Sequence, residues 1–128
     1  MTTLHAEARA AYQGSAVGTA APARLLVMLC DRLVLDVERG LRAQMRHDQQ
    51  AANEQFQHAQ SIVSHLQATL DPEGWSGGHE LMALYGYINR RLIQANVRRD
   101  QRAAKESLVL CRQIADTWKR AALAAAQS

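Results

Sequence analysis

Two cysteines, two prolines, seven glycines and one phenylalanine are all that 128 residues contain of those types. Cys30 and Cys111 stand far apart with no metal-ligand spacing, which excludes a disulfide framework or a zinc cluster. They read as reduced thiols that pack as small apolar residues. With Pro22 and Pro72 the only prolines, long stretches can stay helical without interruption. Aromatics are 5% of the chain, so aliphatic side chains must build most of the core. The longest apolar run, Leu25 to Cys30, falls far short of the roughly 20 residues that a bilayer span needs, so membrane insertion is not expected. No apolar run of the signal-peptide kind follows Met1, which points to a cytoplasmic protein.

Chemistry-bearing patterns are equally scarce. The formal charge of +3 comes from arginines interleaved with acids, and no contiguous basic face of the kind that nucleic acid demands is evident. Arg90-Arg91 and Arg98-Arg99 read as solvated helix faces. The stretch "GWSGG" lacks the lysine of a phosphate-cradling loop. His58 and His65 are one heptad apart but have no matching carboxylates, and the Glu-x-x-His pair of di-iron bundles is absent. No catalytic residue, cofactor or metal is expected, and the chain does not read as an enzyme.

What is present is helical periodicity. After a weakly patterned segment, residues 1–20, that includes a short helical stretch from His5 to Tyr12, a helix starts at Pro22, where the missing N–H costs nothing. Its apolar stripe is Leu26, Leu29, Leu33, Val37 and Leu41. Asp48 caps a second helix carrying Ala52, Phe56, Ala59, Val63, Leu66 and Leu70, spaced alternately by four and three. "DPEGWSGG" is a loop, and a third helix runs from about His79 to Arg99. Asp100 then caps a fourth, with Ala104, Leu108, Cys111, Ile114 (or Ala115), Trp118 and Ala122 in its stripe. The alanine-rich tail, 122–128, is expected to fray. Four such segments joined by short connections predict one domain over residues 1–128: an all-α, antiparallel up-down four-helix bundle with a short N-terminal helix.

Two of these helices hold more apolar residues than one core requires. On the first, Met28 and Leu35 fall opposite Leu26, with Val27 and Val34 extending the patch. On the third, Leu81, Leu84, Ile88, Leu92 and Ala95 make the core stripe, with Tyr85 at its edge. A second line runs Met82, Gly86, Asn89, Ile93 and Val97. Gly86 costs about 1 kcal/mol of helix propensity relative to alanine, which suggests close approach of another backbone. Three readings fit such a surplus: cover by the N-terminal segment, self-association, or a groove for an apolar segment of another protein.

The stretch "AYQGSAVGTAAPARLLVMLCDR" resembles the opening of the flagellar secretion chaperone family (FliS), with its Tyr, Val-x-Thr-Ala-Ser-Pro and Leu-x-x-Met-Leu-Tyr-Asp-Gly elements. "LYGYINRRLIQANVRRD" resembles the same family's Leu-Tyr-Asp-Tyr, Arg-Arg-Leu, Ala-Asn and Asp pattern. Gly77-Gly78 and Trp118 fall into place, so the likeness runs from Tyr12 to Arg120. It implies a cytoplasmic, non-enzymatic export chaperone that binds the C-terminal segment of flagellin and prevents its early polymerisation. It also implies delivery of that segment to the flagellar type III export gate, itself a further partner. An adaptor for another export-system protein, using the same groove, is the alternative. The partner-binding residues expected from pattern and resemblance together are Tyr12, Val17, Met28, Leu35, Met82, Tyr85, Gly86, Tyr87, Asn89, Ile93 and Asn96. The chain departs from the family at Ala21 (usually serine), Cys30 (an aromatic), Arg32 (glycine) and Gly86 (a polar residue). At Cys30 the core must be repacked, or a tyrosine's volume supplied from elsewhere.

Overall fold

A computed structural model describes His5, Ala8 and residues 20–74 and 76–127 of the chain. Beyond His5 and Ala8, which are themselves helical, four helices follow one another among the described residues: α1 (Ala20–Met45), α2 (Gln49–Thr69), α3 (Gly78–Val97) and α4 (Gln101–Gln127). Among the described residues there is no strand. α1 packs on α2 and α4, and α3 packs on the same two helices, leaving α1 and α3 on one diagonal. Short connections make successive helices antiparallel, as an up-down bundle requires.

The two three-residue turns at one end of the bundle are built alike. His47 (φ 60°) and Arg99 (φ 53°) take left-handed backbone just past α1 and α3. In each case the following aspartate returns its N–H to a carbonyl in the preceding helix: Asp48 to Ala43 at 2.9 Å, Asp100 to Ala95 at 3.1 Å. The same aspartate caps the next helix. Asp48 Oδ1 accepts from Ala51 N, and Asp100 Oδ1 accepts from the backbone N–H groups of Arg102 and Ala103. Both predicted caps are therefore present. The alanine-rich tail is helical through Gln127, in keeping with alanine's leading helix propensity.

The core follows the predicted stripes with several shifts: Leu26, Leu29 and Leu41 on α1 and Leu70 at the end of α2 are only partly buried, while Cys30 and Ile62 are buried. On α3, Tyr85 is only 1% exposed while Leu84 is half-buried, so the buried series is Leu81, Tyr85, Ile88, Leu92 and Ala95. Both series obey helical spacing, and bulk decided between them. Near the end of α4, Ala121 is buried in place of Ala122. The larger consequence concerns Cys30, which is fully buried, as are Cys111 and Tyr85. The Tyr85 oxygen accepts a hydrogen bond from the Trp118 indole N–H and feels both thiols, so a tyrosine from α3 lies beside the position where the family has an aromatic on α1. Burial pushes the Tyr85 phenol above its ordinary range. Burial, then the neighbouring Asp31 charge, pushes the Cys30 thiol up to about 12. Cys111 is likewise pushed up to about 12, first by burial and then by Cys30.

Gly40 is a steric necessity, because a Cβ there would lie 2.6 Å from the buried Phe56 ring. Asp36 is also fully buried. It accepts from Arg32 Nε at 2.9 Å and pairs with His58 of α2, so this carboxylate is not left alone in the interior.

Candidate partner-binding surface

The second apolar line of α3 stays outside the core. Met82, Gly86 and Asn89 are half-buried, whereas Ile93 is 44% and Val97 75% exposed. This line borders α2. A Cβ on Gly86 would sit 3.7 Å from Gln67 Nε2, and Asn96 Nδ2 donates to Asn53 Oδ1 at 2.8 Å. Asn53, Gln60 and Gln67 recur every seventh residue along the half-buried edge of α2. The groove between α2 and α3 thus has an apolar wall from one helix and an amide wall from the other. Two of its side-chain oxygens, Asn89 Oδ1 and Asn96 Oδ1, are buried and accept no hydrogen bond among the described residues.

Gly86 is not crowded by the described bundle. A Cβ there would meet only Arg90 Nη1 at 3.5 Å and Gln67 Nε2 at 3.7 Å, both ordinary contacts with flexible side-chain ends. Among the described residues no backbone of another element approaches it closely, so the glycine is unexplained by the described bundle.

The other expected residues divide among several places. Tyr12 and Val17 lie outside the described residues. Met28 is 59% exposed on α1, and Leu35 is half-buried in a shallow groove between α1 and α4. Val34 and Ala115 share that groove, which ion pairs rim: Arg112 with Glu38 at 3.0 Å and Lys119 with Asp31 at 3.4 Å. Tyr85 belongs to the core, as described. Asn96 is 8% exposed, tying α3 to α2. Tyr87 faces α4, where its hydroxyl donates to Glu106 Oε1 at 2.5 Å. Arg91 Nε donates to the same carboxylate at 2.9 Å, and Arg90 lies over the Tyr87 ring. The Tyr87 bond holds the Glu106 carboxyl below its usual range, and Glu106 in turn holds the phenol above its own.

Sequence reasoning missed Glu106 and the amide series on α2. The heptad recurrence of Asn53, Gln60 and Gln67 was a readable signal for the latter; Glu106 carried none, since only the α3–α4 pairing brings it to Tyr87. Of the two histidines one heptad apart, His58 is engaged by Asp36. No group of three or more potential metal ligands occurs among the described residues. No helix among them is long and apolar enough to cross a membrane.

Comparison with known proteins agrees with this arrangement. The family model "Flagellar protein FliS" matches residues 5–125. A flagellar secretion chaperone FliS of Escherichia coli (strain K12) is 36% identical over 111 residues, covering 85% of this chain and 82% of that protein. Its namesake in Bacillus subtilis (strain 168) is 32% identical over 111 residues, 87% of this chain and 83% of the relative. A third, from Salmonella typhimurium, is 37% identical over 107 residues, 82% and 79% of the two chains. A helical bundle with a matching family model along almost its whole length, and relatives above 30% identity that share one name, leaves one assignment: this chain belongs to the FliS family of flagellar secretion chaperones.

Proposed function

We propose that this protein is a cytoplasmic, non-enzymatic chaperone that binds the C-terminal segment of a flagellin, keeps it from polymerising, and aids its delivery to the flagellar export apparatus. The observation that carries this reading is the apolar line Met82, Gly86, Ile93 and Val97, which remains at the surface while the core is complete without it. An apolar helix face beside a groove suits an amphipathic segment laid against it. Filament subunits have apolar ends built to pair with one another, and such ends need cover until export. The groove supplies that cover without enclosing the segment in a compact fold, so it can leave unfolded. Ordering a flexible segment also lowers the affinity gained per unit area, which favours release.

Polar detail supports the same reading. Buried Asn89 Oδ1 and Asn96 Oδ1 are acceptors wanting donors, and an unpaired buried acceptor costs about 1–3 kcal/mol. A bound segment can offer side-chain or backbone N–H groups to them. Met28, Leu35 and Tyr87 lie on other faces than the α2–α3 groove, and their exposure or half-burial suits a partner that wraps the outside of the bundle.

The test is co-purification of the protein with flagellin from the same organism, intact and lacking its C-terminal segment. Retention of the intact form alone is the expected result. Equal retention of the truncated form would remove the C-terminal segment as the ligand.

A further inference from the structure

Beyond Val97, where the groove line ends, one end of the bundle concentrates basic side chains, most of which make no ion pair among the described residues. Elsewhere, five arginine or lysine side chains find acids, Arg32 with Asp36, Arg91 with Glu106, Arg112 with Glu38, Lys119 with Asp31 and Arg120 with Asp116, and Arg90 lies over the Tyr87 ring, which leaves Arg24 without an ion pair among the described residues. Arg39, Arg42, Arg98, Arg99, Arg102 and Lys105 make no ion pair among the described residues, and all are exposed. All six lie in, or within two turns of, the paired connections Arg46-His47-Asp48 and Arg98-Arg99-Asp100. The aspartates there do little to offset them. Each is committed to capping a helix, and Asp48 is also 3.8 Å from Arg46.

The two turns are held together by amide bonds across the bundle end. Gln44 Nε2 donates to Ala95 O at 2.7 Å, and Gln49 Nε2 donates to Asn96 O at 3.3 Å. Met45 follows Gln44 and Val97 follows Asn96, so the same bonds set two apolar side chains at this end. They are 59% and 75% exposed, respectively. Exposure of two aliphatic groups among unpaired arginines has no use in folding.

We infer that this end of the bundle is a second docking surface, for an acidic segment of a partner protein that carries at least one apolar side chain. Guanidinium groups pair with carboxylates through a planar fork, and a flexible thioether adapts to an aliphatic neighbour. Nucleic acid fits less well, because phosphates make no use of Met45 and Val97. A membrane surface fits less well too, since it calls for an amphipathic helix with a broad apolar face rather than two turns.

The test uses the full chain and a fluorescein-labelled peptide of alternating glutamate and leucine, read by anisotropy, beside a glutamate–serine peptide. The wild-type protein is expected to bind the leucine peptide in a salt-sensitive way and the serine peptide about tenfold more weakly. Arg42→Glu/Arg98→Glu should weaken leucine-peptide binding by about tenfold or more, and Met45→Ser by a smaller factor. All three positions are exposed, so thermal melts should be nearly unchanged; a flagellin segment should bind both variants as it binds the wild type, which separates this surface from the groove. Equal binding of the two peptides, indifference to the arginine exchange, or tighter binding of duplex DNA or phosphatidylserine vesicles than of the leucine peptide would each overturn the proposal.

Discussion

Replacing Gly86 by alanine asks two questions with one methyl group. In the free protein the new Cβ meets only the ends of Arg90 and Gln67 at 3.5 and 3.7 Å, so no clash opposes it. Glycine inside a helix is about 1 kcal/mol worse than alanine, and Gly86 lies well within α3 (Gly78–Val97). Gly86→Ala should therefore stabilise the bundle by roughly 0.5–1 kcal/mol, which for a domain of this size raises Tm by about 2–5 °C. The same methyl group projects toward the α2–α3 groove, where a partner segment would pack. If close backbone approach of that segment is why the glycine is there, affinity should fall although the protein is more stable. Thermal melts by circular dichroism and titration with a flagellin C-terminal segment read the two effects separately. A lowered Tm would refute the steric reading of the free bundle. A raised Tm with unchanged affinity would remove Gly86 from the partner surface.

Further perturbations follow the same logic. Ile93→Asp places a charge on a half-exposed side chain, so the melt should hardly move while partner binding weakens by about 10- to 100-fold, the burial value of such a side chain; a collapsed melt would mean Ile93 is core. Tyr85→Ala should instead destabilise by about 3–5 kcal/mol, because the ring is fully buried, and chemical denaturation would show it as a lowered midpoint. Cys30 and Cys111 should resist thiol reagents until the protein unfolds, since both are buried with thiols pushed up to about 12. The same shift makes stability pH-dependent. The folded values lie above the ordinary 9.0, so the stabilisation is fully present below pH 9 and is lost as pH rises from 9 toward 12, by about 1.4 kcal/mol per pH unit per thiol. Flat stability across that range would contradict the burial.

Much of the architecture was legible because it rests on local rules. Spacings of three and four marked all four helices, and Asp48 and Asp100 announced helix starts through their capping chemistry. The choice between Leu84 and Tyr85 was not legible, because both satisfy the helical period and only the neighbours across the bundle, Cys30, Cys111 and Trp118, tell them apart. The surplus line on α3 was readable as such. Its reverse side, the amide series on α2, was passed over because polar residues at heptad spacing look like a solvated edge until a neighbour is seen. Residues grouped by pattern and resemblance also came apart: Tyr85 turned inward, Tyr87 toward α4, and Leu35 toward a separate groove. A helical wheel gives direction around one axis, but which helix stands in that direction is a property of the bundle.

The central claim is that the exposed line on α3 binds a flagellin's C-terminal segment. Isothermal titration of that segment into the wild-type protein and into the Ile93→Asp variant tests it most directly. Saturable binding to the wild type with a negative heat-capacity change, much weakened in an Ile93→Asp protein that melts like the wild type, is the predicted result. An absence of saturable binding, or equal binding by both proteins, would contradict it.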